Sequence, residues 1–148
     1  MRISRKAEYA LRALLAIARA SPGQLHQIQD LSRLENIPVK FLEQILLNLK
    51  HAGFLTSKRG VGGGYTLQRS ASAITVGEVL RVIDGPLAPV PCAAADPPEP
   101  CSCPDPSTCP LRLMMTRVRH AISAELDALS LETAVQESRG RDILAFDI

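Results

Sequence analysis

The stretch Ile37-Pro38-Val39-Lys40-Phe41-Leu42-Glu43-Gln44-Ile45-Leu46-Leu47-Asn48-Leu49-Lys50-His51-Ala52-Gly53 runs directly into Phe54-Leu55-Thr56-Ser57-Lys58-Arg59-Gly60-Val61-Gly62-Gly63-Gly64-Tyr65-Thr66-Leu67. Pro38 suits a first helical turn, where its missing N–H costs nothing. Through 38–52, Phe41, Leu42, Ile45, Leu46 and Leu49 fall on one face at helical spacing, with Lys40, Glu43, Gln44 and His51 on the other. Gly53 stops the helix as a residue able to take positive φ does. Phe54–Lys58 and Tyr65–Leu67 are then two β-compatible runs around Arg-Gly-Val-Gly-Gly-Gly. No Gly-Lys-Ser/Thr follows and no helix opens after the glycines, so they form a tight hairpin tip and not a nucleotide loop.

Upstream, Ala7, Ala10, Leu11, Leu14, Ile17 and Ala18 make an amphipathic helix of the first twenty residues. Glu8, Arg12 and Arg19 interrupt the apolar run, which favours an amphipathic helix over a signal peptide and points to the cytoplasm. Ser21-Pro22-Gly23 gives a turn, and Leu25, Ile28 and Leu31 predict a second helix. Downstream, Thr75 and Glu78 stand as a capping box for a helix ending near Asp84-Gly85. Two short helices, the second with a polar outer face, and a hairpin with a basic glycine-rich tip form the winged helix-turn-helix pattern. One helix fits the DNA major groove, where Lys40 and Gln44 can donate to bases and Glu43 can accept from cytosine. Lys58 and Arg59 at the tip face the DNA backbone or a minor groove.

Charge and composition agree with this reading. The chain has 148 residues and 46% hydrophobic content, enough for one domain with its own core. Its net charge of +2 divides into +7 over residues 1–69 and −5 over the remainder, so the front half is the part suited to a polyanion. No run of 18 apolar residues exists, which excludes a membrane-spanning helix. No nucleophile and base stand at motif spacing, so no enzyme is expected.

Nine of the eleven prolines lie between Pro86 and Pro110, together with all four cysteines, Cys92, Cys101, Cys103 and Cys109. That composition predicts an irregular loop, disordered when taken alone. No Cys-x-x-Cys pair is present, which argues against a zinc knuckle. Four thiols in one cytoplasmic loop leave two readings open, a metal cluster or a reversible thiol switch. From Pro110 a long helix carries Leu111, Met114, Val118, Ile122, Leu126 and Leu129 as a stripe that needs a large partner. The fold class is therefore mainly α with a small β-hairpin wing. Residues 1–85 form a winged helix-turn-helix domain, 86–109 a Pro/Cys-rich loop, 110–131 a dimerisation helix and 132–148 a tail whose pattern carries no reading.

Ser4-Arg5-Lys6-Ala7-Glu8-Tyr9-Ala10-Leu11-Arg12-Ala13-Leu14, Ile37-Pro38 through Leu46, Ser57-Lys58-Arg59-Gly60, Gly62-Gly63-Gly64-Tyr65-Thr66-Leu67 and Ile74-Thr75 to Asp84-Gly85 together resemble the Rrf family of bacterial winged-helix transcription regulators. The resemblance runs in register over 1–85 and resumes around Cys109. It implies a homodimer with crossing C-terminal helices, bound to a two-fold symmetric double-stranded DNA operator through Lys40, Glu43, Gln44 and Arg59. Leu47 is a departure, apolar where the family has a polar residue. The resemblance also implies an iron–sulfur cluster, 2Fe-2S or 4Fe-4S, on three loop cysteines. Cys92 matches the first and Cys109 the third; Cys103 is preferred as the second for its five-residue gap, with Cys101 the alternative.

Where cluster-assembly regulators have a ligand histidine, this chain has Arg112, so the resemblance offers Glu8 of the partner subunit as fourth ligand, with the spare thiol of Cys101 as its competitor. The plain reading of Glu8 is a first-turn carboxylate paired with Arg12. Two functional alternatives stand beside the cluster sensor: a thiol–disulfide regulator of the same fold, and a redox or metal carrier that docks an acidic partner.

Overall fold

The computed structural model describes residues 2–97 and 99–145, with side chains through 140. Helix α1 spans Arg5–Arg19, α2 Ile28–Glu35 and α3 Val39–His51. Strands β1, Leu55–Lys58, and β2, Gly64–Leu67, pair antiparallel with Leu55 opposite Leu67 and Lys58 opposite Gly64. Helix α4 covers Val76–Asp84, α5 Pro110–Ala128 and α6 Leu131–Ala145, with single 3₁₀ turns at Ala71–Ala73 and Pro91–Ala93.

Local chemistry accounts for most boundaries. Ser4 caps α1 by accepting from the Ala7 N–H at 3.0 Å, and its own N–H reaches the Asp84 carboxylate at 2.8 Å, which ties the start of α1 to the end of α4. Asn36 ends α2 in the left-handed region, with φ of 51°. That reversal is fixed by the Ile37 N–H donating to the Ser32 carbonyl at 3.0 Å while the Ser32 hydroxyl donates to the Ile37 carbonyl at 2.5 Å. Gly53, at φ 81°, ends α3 as expected. Thr75 accepts from the Glu78 N–H at 3.1 Å, but the Glu78 carboxylate turns away to Arg69 at 2.7 Å, so the capping box is half made.

Leu14, Leu31, Ile37, Leu42, Ile45, Leu46, Leu49, Phe54, Leu55 and Ile74 are buried in one core. Each such side chain contributes about 1.5–3 kcal/mol relative to exposure. This core holds α3 by its inner face and leaves the other face outward. Among the described residues no helix is long and apolar enough to cross a membrane.

Four features differ from the sequence reading. Leu25 does not enter the second helix, because the next residue, His26, pairs with Tyr65 through backbone bonds of 2.9 and 2.8 Å and adds an extended rung beside the wing. This rung passes so close to Gly64 that a Cβ there would meet the His26 carbonyl at 2.5 Å. Phe41 is exposed and sets its ring edge-on to Tyr9, 5.7 Å between centroids. The 86–109 loop is anchored, with Ala93 and Ala94 buried at the 3₁₀ turn that packs on α5.

The fourth difference is at the end of α5. The expected helix over 110–131 stops at Ala128, because Val76 N–H donates to the Leu129 carbonyl and Leu131 N–H to the Ile74 carbonyl, both at 2.9 Å. This two-bond bridge turns the chain back, and the segment taken as a tail becomes α6, which lays Leu131 and Val135 onto α1. Residues 146–148 lie outside the described residues.

Candidate functional site

The first candidate surface is built from α3 and the hairpin. Lys40, Glu43 and Gln44 are all exposed on the outer face of α3, and Leu47 stands with them. Lys50, in the last turn, donates to the Ser57 hydroxyl at 2.7 Å and so fixes the hairpin against α3. The hairpin turns through Gly60 and Gly62, both at positive φ, and closes with the Gly63 N–H on the Gly60 carbonyl at 3.0 Å. A Cβ at Gly63 would collide with the Lys58 carbonyl, so only glycine permits this tip. Lys58 and Arg59 are exposed there.

One contributor was missed in the sequence. Arg5 lies 5.8 Å from the Tyr9 ring centroid, and Arg5, Tyr9, Pro38, Lys40 and Phe41 line a cleft of about 430 Å³. The Tyr9–Phe41 contact brings the start of α1 beside the start of α3, so Arg5 adds positive charge next to Lys40. The sequence offered no signal for this, because Phe41 falls within the apolar stripe of α3 and its contact with Tyr9 joins residues distant in the chain.

Glu8 is on α1, 3.5 Å from Arg5 and 3.6 Å from Arg12. Arg12 also meets Glu35 at 3.3 Å and the Glu35 main-chain carbonyl, at the end of α2. Within one chain Glu8 therefore has the pairing of its plain reading.

The second candidate site is the cysteine loop. All four thiols are free and partly exposed. Cys103 and Cys109 are in contact at 3.8 Å between sulfurs, and Cys101 shares a cleft with Cys92. Cys109 is the residue before α5, and main-chain N–H groups of Arg112 and Leu111 point at its sulfur and lower its pKa. The main-chain N–H of Cys103 lowers Cys101 in the same way, whereas Cys103, with a thiol on either side, is pushed up. Cys92, Cys101 and Arg112 line one cleft with Pro97, Glu99, Pro100 and Pro106.

Among the described residues no three His, Cys, Asp or Glu side chains converge as ligands of a single ion would. A multi-iron cluster takes thiolates spread around its outside, and four soft sulfur donors on one loop, two of them in contact, suit that demand. The loop brings together Cys92, Cys101, Cys103 and Cys109. Of the two middle cysteines, Cys103 is the one in sulfur contact with Cys109, while Cys101 lies in the cleft with Cys92.

From this loop α5 extends with no residue buried in the single chain. Leu111, Leu113, Met114 and Val118 are 49%, 59%, 54% and 42% exposed. Leu126 and Leu129 behave differently, packing on Ala7, Val76, Leu80 and Leu87. Arg81 clamps this end through a two-pronged bond to Asp127 at 2.6 and 2.8 Å. The unpartnered apolar strip is thus confined to the half of the helix nearest the cysteines.

Comparison with known proteins gives one family. The model of Rrf2, described as an iron-dependent transcriptional regulator, matches residues 3–137. The rrf2-like HTH-type transcriptional regulator of Rhodobacter capsulatus is 38% identical over 135 residues, covering 88% of this chain and 89% of that protein. CymR of Bacillus subtilis, an HTH-type transcriptional regulator, is 30% identical over 140 residues, 95% of this chain and 94% of that one. Its structure, described as the global cysteine regulator, superimposes with a TM-score of 0.77 at 29% identity, covering 93% of this chain and 98% of that chain. The HTH-type transcriptional regulator IscR of Escherichia coli is 39% identical over 84 residues, 57% of this chain and 52% of that protein.

Proposed function

The chain belongs to the Rrf2 family of transcriptional regulators, and from that premise we propose that it is a homodimer whose DNA affinity is set by an iron–sulfur cluster on the 86–109 loop. The observation that carries this reading is the placement of four partly exposed thiols on one loop, two of them in contact, leading directly into α5 and its exposed apolar strip. The family's description as iron-dependent supports it.

In this reading Cys92, Cys103 and Cys109 hold the cluster, with Cys101 as the alternative to Cys103 and Glu8 of the partner subunit as the fourth ligand. When bound, such a cluster supplies a centre that responds to iron, oxidant or nitric oxide. The chain's own residues do the rest. Gln44 and Glu43 read base edges of a two-fold symmetric duplex, Lys40, Lys58 and Arg59 meet phosphates or a minor groove, and α5 pairs the two subunits. Gain or loss of the cluster reorients the two recognition helices, which requires a difference in operator affinity between the two states.

Two measurements test it together. Anaerobically purified protein should show visible sulfur-to-iron absorption, and operator binding should be salt-dependent and differ between cluster-loaded and cluster-free protein. Arg59→Ala should weaken operator binding by about 1–3 kcal/mol. Gln44→Ala should lose discrimination between sequences more than non-specific affinity. Glu8→Ala should change the spectrum and the cluster lifetime while Cys101→Ser leaves both alone; the reverse result transfers the ligand role to Cys101. A colourless protein whose thiols titrate reversibly overturns the cluster.

That last outcome is the second reading, a thiol–disulfide regulator, and the Cys103–Cys109 sulfur contact of 3.8 Å favours it. The relative described as a global cysteine regulator supports a sensor of sulfur chemistry on this fold. The carrier alternative gains no support, since the matched relatives are transcriptional regulators.

A further inference from the structure

Between the two touching cysteines the chain reads Cys103-Pro104-Asp105-Pro106-Ser107-Thr108-Cys109. Asp105 is exposed, yet both carboxylate oxygens are engaged inside this segment. Oδ1 accepts from the Ser107 N–H at 3.0 Å and from the Ser107 hydroxyl at 2.5 Å, and Oδ2 accepts from the Thr108 hydroxyl at 2.7 Å. Arg112 donates to the Pro106 carbonyl at 3.4 Å and joins this turn to the first turn of α5. The far end is fixed as well, because the Cys109 carbonyl accepts from the Leu113 N–H at 3.2 Å.

We propose that Asp105 is a positioning residue for the thiol pair Cys103 and Cys109, closing the five intervening residues into one turn so that the two sulfurs are neighbours before iron or an oxidant arrives. The inference takes its biological meaning from the sensor reading above, while its geometry stands on the hydrogen bonds of Asp105 and Arg112. An unconstrained loop of this length distributes its ends over many separations, and bringing them together costs closure entropy. Pro104 and Pro106 remove part of that freedom by fixing φ, and the Asp105 bonds remove more. The entropy is then lost on folding rather than on ligation or disulfide formation, which raises the effective concentration of one thiol at the other. With both oxygens engaged by Ser107 and Thr108, Asp105 holds the loop and is not itself a ligand.

The test uses full-length, metal-free protein with Cys92 and Cys101 changed to Ser, equilibrated in glutathione buffers. Cys103–SH and Cys109–SH lose two electrons and two protons as their S–S bond forms; one glutathione disulfide takes them up and leaves as two glutathione thiols. Asp105→Ala should lower the equilibrium constant for this disulfide about tenfold, a rise in reduction potential of about 30 mV. Asp105→Asn keeps an acceptor for both Ser107 donors and an amide that can donate to the Thr108 oxygen, so it should stay within about twofold of the parent. Thermal unfolding of Asp105→Ala should match the parent, since the residue is exposed. An unchanged constant in Asp105→Ala overturns the proposal; so does an Asp105→Asn variant as impaired as Asp105→Ala, because charge and not the turn is then at work.

In cluster-loaded wild-type cysteine background, Asp105→Ala should shorten the lifetime of the visible absorption in air. If the parent never takes up iron, the cluster reading fails and the glutathione titration still decides Asp105. If the parent is coloured and Asp105→Ala keeps both its lifetime and its disulfide constant, the cluster reading stands and the positioning role falls.

Discussion

The winged-helix body and the segment from the cysteine loop through α5 bury their apolar residues in opposite ways. The body encloses Leu14, Leu31, Leu42, Ile45, Leu46, Leu49 and Phe54 completely, while nineteen residues of α5 include none that is buried. The body is therefore specified by burial within one chain, whereas the half of α5 nearest the cysteines gains none there. Helix α5 is held at one end by Arg81–Asp127 and Leu126 and is bare at the other, the end that the proposed dimer would cover.

Breaking each side should give different signatures. Leu46→Ala should destabilise the body by about 2–5 kcal/mol in denaturant unfolding, through lost transfer energy and a cavity. A loss under 1 kcal/mol would mean that the body is loosely packed and the contrast with α5 false. Val118→Asp should leave the body folded by circular dichroism but convert the dimer to monomers in sedimentation; a dimer that persists places the interface elsewhere.

The junction between the regions should respond more weakly. Arg81 and Asp127 are 39% and 46% exposed, so Asp127→Asn should cost only about 0.2–1 kcal/mol. The Arg81 hydrogen bond holds the Asp127 carboxyl below its ordinary value, so its contribution is complete at neutral pH and is lost as pH falls through the acid range. Asp127→Asn should remove that acid dependence, and an unchanged pH profile would argue against the clamp.

The smallest effect belongs to His26, whose Nε2 is buried without a hydrogen-bond partner. Burial pushes its pKa below the ordinary 6.5, against an opposing pull from Asp30. The folded state thus prefers the neutral ring, and stability should be full above pH 6.5 and decline shallowly below it. His26→Gln should flatten that decline; a parent with no such slope would show that the ring is not confined.

The same contrast sets what could be read from sequence. Residues 37–67 were legible because short-range chemistry determines them: Pro38 opens α3, Gly53 ends it, and Gly63 has no room for a Cβ. The outward placement of Lys40, Glu43 and Gln44 follows from one helical stripe. By contrast, α6 has no apolar stripe, and its position depends on a bridge between Thr75 and Ser130, distant in sequence. Leu25 was misplaced in a helix for a similar reason, since the adjoining His26 pairs with the distant Tyr65. The cysteines announced a site by composition, but the role of Asp105 depends on three hydrogen bonds that spacing does not encode.

That α6 rests on α1 has a consequence for the order in which the protein is made. Leu131 and Val135 are synthesised after α1, the wing and the cysteine loop, yet they cover α1. Until they arrive, apolar surface around Ala13 and Ile17 lacks its native cover, so the DNA-reading body is incomplete on the ribosome. By then the cysteine loop and α5 have already been translated. A chain ended before α6 is thereby left with an unfinished core and open to proteolysis.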